Sequence, residues 1–225
     1  MAKKILLILI IIAAAGAGGA ILYQKLRTKN QELKTYIERN VPAEYRARLE
    51  TGIREMQERI GGDRDIKDLN LWIDLGGYHY ILGNLAEARA SFETALKLNQ
   101  LNYVAWGNLG DTLAEMGDLA GAEAAYRKTL ELTDLPLYYE KFALFLEQYF
   151  PQDKKRYENL LLAAVAATGQ RPEFIARLAA FYEEEGRLLE AKSHLEVLIQ
   201  VAEDNQTAKK DLQRVERKIT EQANQ

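Results

Sequence analysis

Side chains able to move a proton near neutral pH are scarce in this sequence: the 225 residues include two histidines, His79 and His194, and no cysteine. Without cysteine there are no disulfides, thiolate metal sites or cysteine nucleophiles. A metal or catalytic site on a helical histidine wants a partner such as His or Asp three or four residues on. After His79 those places hold Leu82 and Gly83, and after His194 Val197 and Leu198. His79 therefore reads as a packed side chain and His194, which follows Ser193, as a solvated one. Gly107, Gly110 and Gly117 lie within and after a helical pattern, whereas a phosphate loop joins a strand to a helix. Glu183-Glu184-Glu185 reads as a solvated charge run at a helix end. No nucleophile stands beside a base, so no catalytic, metal or cofactor site is expected, and no enzyme.

Charge narrows the partner classes. There are 30 basic and 33 acidic residues. Five of the basic ones (Lys3, Lys4, Lys25, Arg27, Lys29) fall in the first thirty positions, where there is no acid. From Asn30 onward 25 basic residues face 33 acidic ones, a net of −8. The clustered Lys and Arg of a nucleic-acid footprint are missing, so no nucleic acid is expected. Ala, Leu, Glu and Lys dominate and prolines number four, which favours helix throughout.

The elements that carry these residues follow in chain order. Ile5–Tyr23 is nineteen residues without a charge, preceded by Lys3-Lys4 and followed by Lys25, Arg27 and Lys29. At about 1.5 Å per residue it would cross a hydrocarbon core of roughly 30 Å. Residues 1–24 thus predict a single-pass transmembrane anchor with lipid contact through residues 5–23. The alternative is a cleaved signal peptide, with Ala13-Ala14-Ala15 or Ala15-Gly16-Ala17 as the small-residue cleavage pattern. Lys3-Lys4 favours an extracytoplasmic repeat domain, although more Lys and Arg follow the span than precede it. The small residues Ala14 to Ala20 contain the spacing that lets two membrane helices pair as a homodimer.

Residues 25–62 read as a helical connector. Leu26, Leu33, Tyr36 and Ile37 form an apolar stripe over 24–40, which Val41-Pro42 breaks. A second helix runs to Ile60 with Tyr45, Leu49, Ile53, Met56 and Ile60 on one face, ended by Gly61-Gly62. This stripe either caps the following array or pairs with a second copy, capping being favoured because a terminal hairpin otherwise exposes an apolar face.

Trp72 and Trp106 are 34 residues apart, and the residues after them repeat at that offset: Leu75-Gly76 with Leu109-Gly110, Gly83 with Gly117, Ala88 with Ala122, Phe92 with Tyr126. Small residues at Gly76 and Ala88 mark where two helices cross, large ones fill the space between hairpins, and Gly83 and Gly117 supply turns with positive φ. Asn84 and Asp118 follow as candidate N-caps. The order Trp, Leu-Gly, turn Gly, Ala, aromatic, Ala resembles the tetratricopeptide repeat. A further copy runs through Leu178-Ala179, Tyr182, Gly186, Leu188 and Glu190-Ala191. Between them lies a degenerate unit with Phe142-Ala143, the turn Phe150-Pro151, and a second helix over Lys154–Ala167. The expected fold is all-α, a tetratricopeptide-type hairpin solenoid over 63–203. Strong repeats fall at about 69–102, 103–136 and 172–203, with the degenerate unit at 137–171 and a capping helix and tail over 204–225.

The resemblance implies that the first helices of the hairpins line a concave surface. Some family members clamp chaperone C-termini with Lys and Asn there. Here the matching places hold Ile73, Gly77, Glu140 and Leu144, and only Asn108 agrees, so that clamp is missing. The implied protein-binding groove comprises Asn70, Ile73, Gly77, Tyr80, Asn108, Asp111, Ala114, Glu140 and Glu183. It is part apolar and part acidic, and suits a protein segment with apolar anchors and basic flanks. The function expected is a membrane-tethered adaptor holding other proteins, in an envelope or secretion assembly. The alternative is a soluble periplasmic or secreted protein released by signal cleavage.

Overall fold

The computed structural model describes residues 33–62 and 66–224. Ten helices lie among them: α1 (Ala43–Gly61), α2 (Leu69–Leu82), α3 (Leu85–Leu98), α4 (Tyr103–Met116), α5 (Leu119–Leu132), α6 (Pro136–Tyr149), α7 (Lys154–Ala167), α8 (Pro172–Glu184), α9 (Leu188–Val201) and α10 (Gln206–Ala223). The chain divides after Leu132 into two compact units.

In the first unit α2 and α3 form one antiparallel hairpin, and α4 and α5 form a second stacked on it. Local chemistry sets the ends. The Asp68 carboxylate caps α2 by accepting from the amides of Asn70 (3.0 Å) and Leu71 (3.3 Å), and Asn102 caps α4 through the Ala105 amide at 2.8 Å. Gly83 and Gly117 close the same helices at φ 84° and 91°, where a side chain would be strained. Asp118 caps α5 through the Gly121 amide (3.0 Å), whereas the expected cap Asn84 makes no such bond and instead contacts His79 Nδ1. The hairpins cross where they have no side chain: a Cβ on Gly76 would stand 2.6 Å from the Phe92 ring, and one on Gly110 2.9 Å from Tyr126. Each tryptophan indole donates to a carbonyl six residues earlier, Trp72 to Ile66 (2.9 Å) and Trp106 to Gln100 (2.8 Å), pinning the loop that leads into its hairpin.

Helix α1 lays Leu49, Ile53 and Met56 on Leu71, Leu75 and Leu82 of α2. Burying such a side chain contributes about 1.5–3 kcal/mol. Gly52 sits under the Tyr78 ring, where an added Cβ would come within 2.6 Å of it. Leu49, Ile53 and Met56 of the connector's stripe are therefore buried within the chain. Tyr45, expected in the stripe, stays 45% exposed in the first turn of α1.

Two expectations need correction. Residues 33–42 are extended, not helical. The Lys34 amide donates to the Met116 carbonyl (2.9 Å), the Ile37 amide to Gly83 (2.9 Å), and the Ala86 amide to Thr35 (3.1 Å), while Tyr36 and Asn84 form an isolated antiparallel bridge. The strap thus exchanges intrachain helix bonds for bonds to the turns of two hairpins. The single-pass membrane location is corrected as well. Among the described residues no helix is long and apolar enough to cross a membrane. The apolar residues of α1 form one stripe among Arg46, Arg48, Glu50, Arg54 and Glu55, and α2, the more apolar, has 14 residues. Residues 5–23 and the small-residue face at 14–20 lie outside the described residues, as does the first part of the connector.

The second unit comprises the hairpin α6–α7, the hairpin α8–α9 beside it, and α10 on α9. Phe150 takes the turn position without positive φ and packs its ring on Phe145 at 5.6 Å. Buried Glu158 of α7 joins the hairpins: it accepts from the Tyr182 hydroxyl (3.0 Å) and from Arg187 (2.8 Å). Arg187 in particular holds its carboxyl below the usual range against the opposing effect of burial.

A Cβ on Gly83 would stand 1.9 Å from the Ile37 carbonyl oxygen, whereas one on Gly186, also at positive φ (71°), meets nothing within 4 Å. Both Gly83→Ala and Gly186→Ala bear the left-handed strain of about 1–2 kcal/mol. Only Gly83→Ala is expected to expel the strap. Trypsin cutting after Lys34 and Arg39 should accelerate in Gly83→Ala and stay at the parent rate in Gly186→Ala.

Candidate functional site

The strap alternates like a strand, with Ile37, Arg39 and Val41 half-buried and Tyr36, Glu38 and Asn40 exposed. Its seat is made by the C-terminal turns of the two first helices, α2 and α4. Arg39 reaches across to Glu115 of α4 at 2.5 Å and lies over the Tyr80 ring of α2, 4.6 Å from its centroid. Tyr80 donates its hydroxyl to the same Glu115 carboxylate at 2.6 Å. Burial first, then that bond, pushes the Tyr80 hydroxyl well above its ordinary range, so it stays a donor. A cation stacked on an aromatic face and paired to a half-buried carboxylate is a specific way to hold arginine. The backbone is held independently, by the two turn carbonyls and the Ala86 amide.

The residues expected to line a groove fall in several places. Asn70, Ile73, Gly77 and Tyr80 recur along α2, Asn70 exposed and the others half-buried; a Cβ on Gly77 would meet nothing within 4 Å. Of these, Tyr80 contributes to the seat. Asn108 gives its carbonyl to the Thr112 hydroxyl (2.8 Å), and Asp111 accepts from Tyr126 (2.7 Å). Asp111 also acts by its charge on Tyr80. Ala114 is 6% exposed and packs inside the unit. Glu140, exposed in the second unit, lines a cavity of about 310 Å³ with Leu144 and Arg177.

Glu183 is not the solvated acid its triplet suggested. Its side chain is 12% exposed and binds Arg214 (2.9 and 2.8 Å) and Lys218 (2.8 Å), fastening α10 to α8. The bond from Arg214, more than the others, lowers its carboxyl to about 2. His194 is half-buried against Tyr182, with ring centroids 5.1 Å apart. His79 is buried, which lowers its pKa against the opposing charge of Glu87. Sequence reasoning missed Arg39, Glu115 and Gly52. The alternation of Ile37, Arg39 and Val41 ahead of Pro42 was the signal for the strap.

Stacked antiparallel helix pairs with small residues at their crossings define a helical-hairpin repeat protein. Residues 80–140 match the family model described as tetratricopeptide repeat, so that stretch carries the repeat. No curated protein matches the chain significantly. Among solved structures, one of MamA is 16% identical with a TM-score of 0.55, covering 73% of this chain and 95% of that one. A second MamA structure is 17% identical at 0.50, covering 67% and 81%. YrrB, described as a TPR protein with an unusual peptide-binding site, is 17% identical at 0.51, covering 71% and 81%. At these identities the likeness is one of fold.

The Glu183 cluster has a pH signature. Because its folded pKa is depressed from 4.5 to about 2, its stabilisation is present above pH 4.5 and is lost as pH falls toward 2. Urea midpoints of the parent should fall over that window, and Glu183→Gln should start lower at pH 6 and fall less steeply.

Proposed function

We propose that this chain is a non-enzymatic scaffold that captures extended segments of other proteins on the turn ends of its first helices. The observation that supports it is the strap itself, an extended stretch held by backbone bonds to two hairpin turns and by one arginine over Tyr80 and against Glu115. Its apolar Ile37 and basic Arg39 have the chemistry a part apolar, part acidic surface selects. The peptide-binding site named for YrrB supports the same direction. The first unit then recognises a segment of its own chain, and a partner segment of like chemistry competes for that seat. Tethering gives the strap a local concentration in the millimolar range, which sets the threshold a competitor must pass.

A peptide spanning residues 33–42, with a benzophenone side chain in place of Tyr36, provides the test on the full chain. In the strap-weakened double variant Ile37→Asp, Arg39→Ser, photo-crosslinks are expected at 80–86 and 111–117, at least tenfold stronger than in the parent. Absence of crosslinks there in a variant that keeps the parent's helix content would sink the capture reading.

A further inference from the structure

The register of the repeats carries the seat from the first unit into the second. Leu75-Gly76, Leu109-Gly110, Phe142-Ala143 and Leu178-Ala179 are the same apolar–small pair at the crossing of successive hairpins. Counting from the small residue, Tyr80 and Glu147 are each four on, Gly83 and Phe150 seven on, Asp111 and Ala180 one on, and Glu115 and Glu184 five on. In the first unit these positions form or border the strap seat. In the second, Glu147, Phe150, Ala180 and Glu184 all line one cavity of about 320 Å³, with Pro151 and Phe181. The room has a cause in the sequence, since alanine replaces Asp111 and a flexible glutamate replaces the Tyr80 ring.

The charges on its wall are partly spent. Glu147 accepts from the Tyr157 hydroxyl and lies 3.6 Å from Arg177, and Lys154 lies 3.5 Å from Glu185. Both basic side chains are therefore paired, and exposed Glu184 is the acid at the mouth that answers to Glu115. Phe150 stands where Gly83 lets a backbone approach, so the second cavity must hold its ligand more by side chains than by turn carbonyls.

We propose that this cavity of the second unit is a binding site for an extended peptide segment bearing an arginine. The guanidinium pairs with Glu184, and an apolar residue two positions before it packs on Phe150 and Pro151. The pattern is that of Ile37 and Arg39, which share one face of an extended chain. The inference rests on the capture reading of the first unit and adds a second site with its own acid.

The probe is the same benzophenone peptide of residues 33–42, titrated by fluorescence anisotropy against the parent full chain and mapped by crosslinking. Saturable binding with crosslinks at 146–157 and 177–184 is expected. The affinity should fall at least tenfold with Glu184→Gln in the chain, and likewise with Arg39→Gln in the peptide. Glu184 is exposed, so Glu184→Gln should melt with the parent, and Ala180→Trp, which fills the cavity, gives a second variant with the same expected loss. Crosslinks confined to 80–86 and 111–117 would overturn the second site while leaving capture by the first unit standing. No saturable binding, or binding indifferent to both Glu184→Gln and Ala180→Trp, would overturn it too. The strap-weakened variant then judges the capture reading separately.

Discussion

Close approach of backbone to its neighbours is the constraint on which the rest of this structure depends. Helix α2 meets α3 at the distance it does because Gly76 has no side chain under the Phe92 ring, and α4 meets α5 over Gly110 for the same reason. Gly52 lets Tyr78 of α2 lie on α1. In a core packed as densely as an organic crystal, one added carbon at such a point must be met by a shift of the ring it strikes or of the helix that carries it. The 34-residue repeat is the record of that requirement, with a small residue on one helix and a ring on the next.

The strap depends on the same device. Gly83 ends α2 in a left-handed conformation and also leaves its surface bare for the Ile37 carbonyl. One residue thus serves the hairpin turn and the docking of a segment far from it in sequence. Once the backbone is seated, Arg39 meets Tyr80 and Glu115, whose mutual hydrogen bond already orients ring and carboxylate. Preorganisation of this kind lowers the ordering cost of holding an extended chain. The hairpin ends serve as a docking edge as a consequence of how the hairpins close.

What the sequence revealed follows from how locally each feature is encoded. Gly83 and Gly117 were legible as positive-φ turns and Lys154–Ala167 as a helix, because turn chemistry and apolar periodicity act within a few residues. The strap was not, because Leu33, Tyr36 and Ile37 fit a helical stripe as well as a strand, and the turns that win its amides lie some fifty to eighty residues away. Glu183 looked solvated among three glutamates, and its partners Arg214 and Lys218 come from a helix that only folding brings near. The membrane reading rested on residues 5–23, and the described helices give it no support. Of the residues expected in a groove, Tyr80 lies under Arg39 of the strap, Asp111 accepts from Tyr126, and Glu183 accepts from Arg214.

The central claim, that residues 33–41 are a docked strand on the turn ends of α2 and α4, is tested most directly by native-state amide hydrogen exchange of the full chain. The account predicts selective protection: the Lys34 and Ile37 amides, which donate to Met116 and Gly83, exchange slowly, while those of Tyr36 and Glu38 exchange fast. Uniformly fast exchange across 33–41, with α2 and α4 still protected, would contradict it.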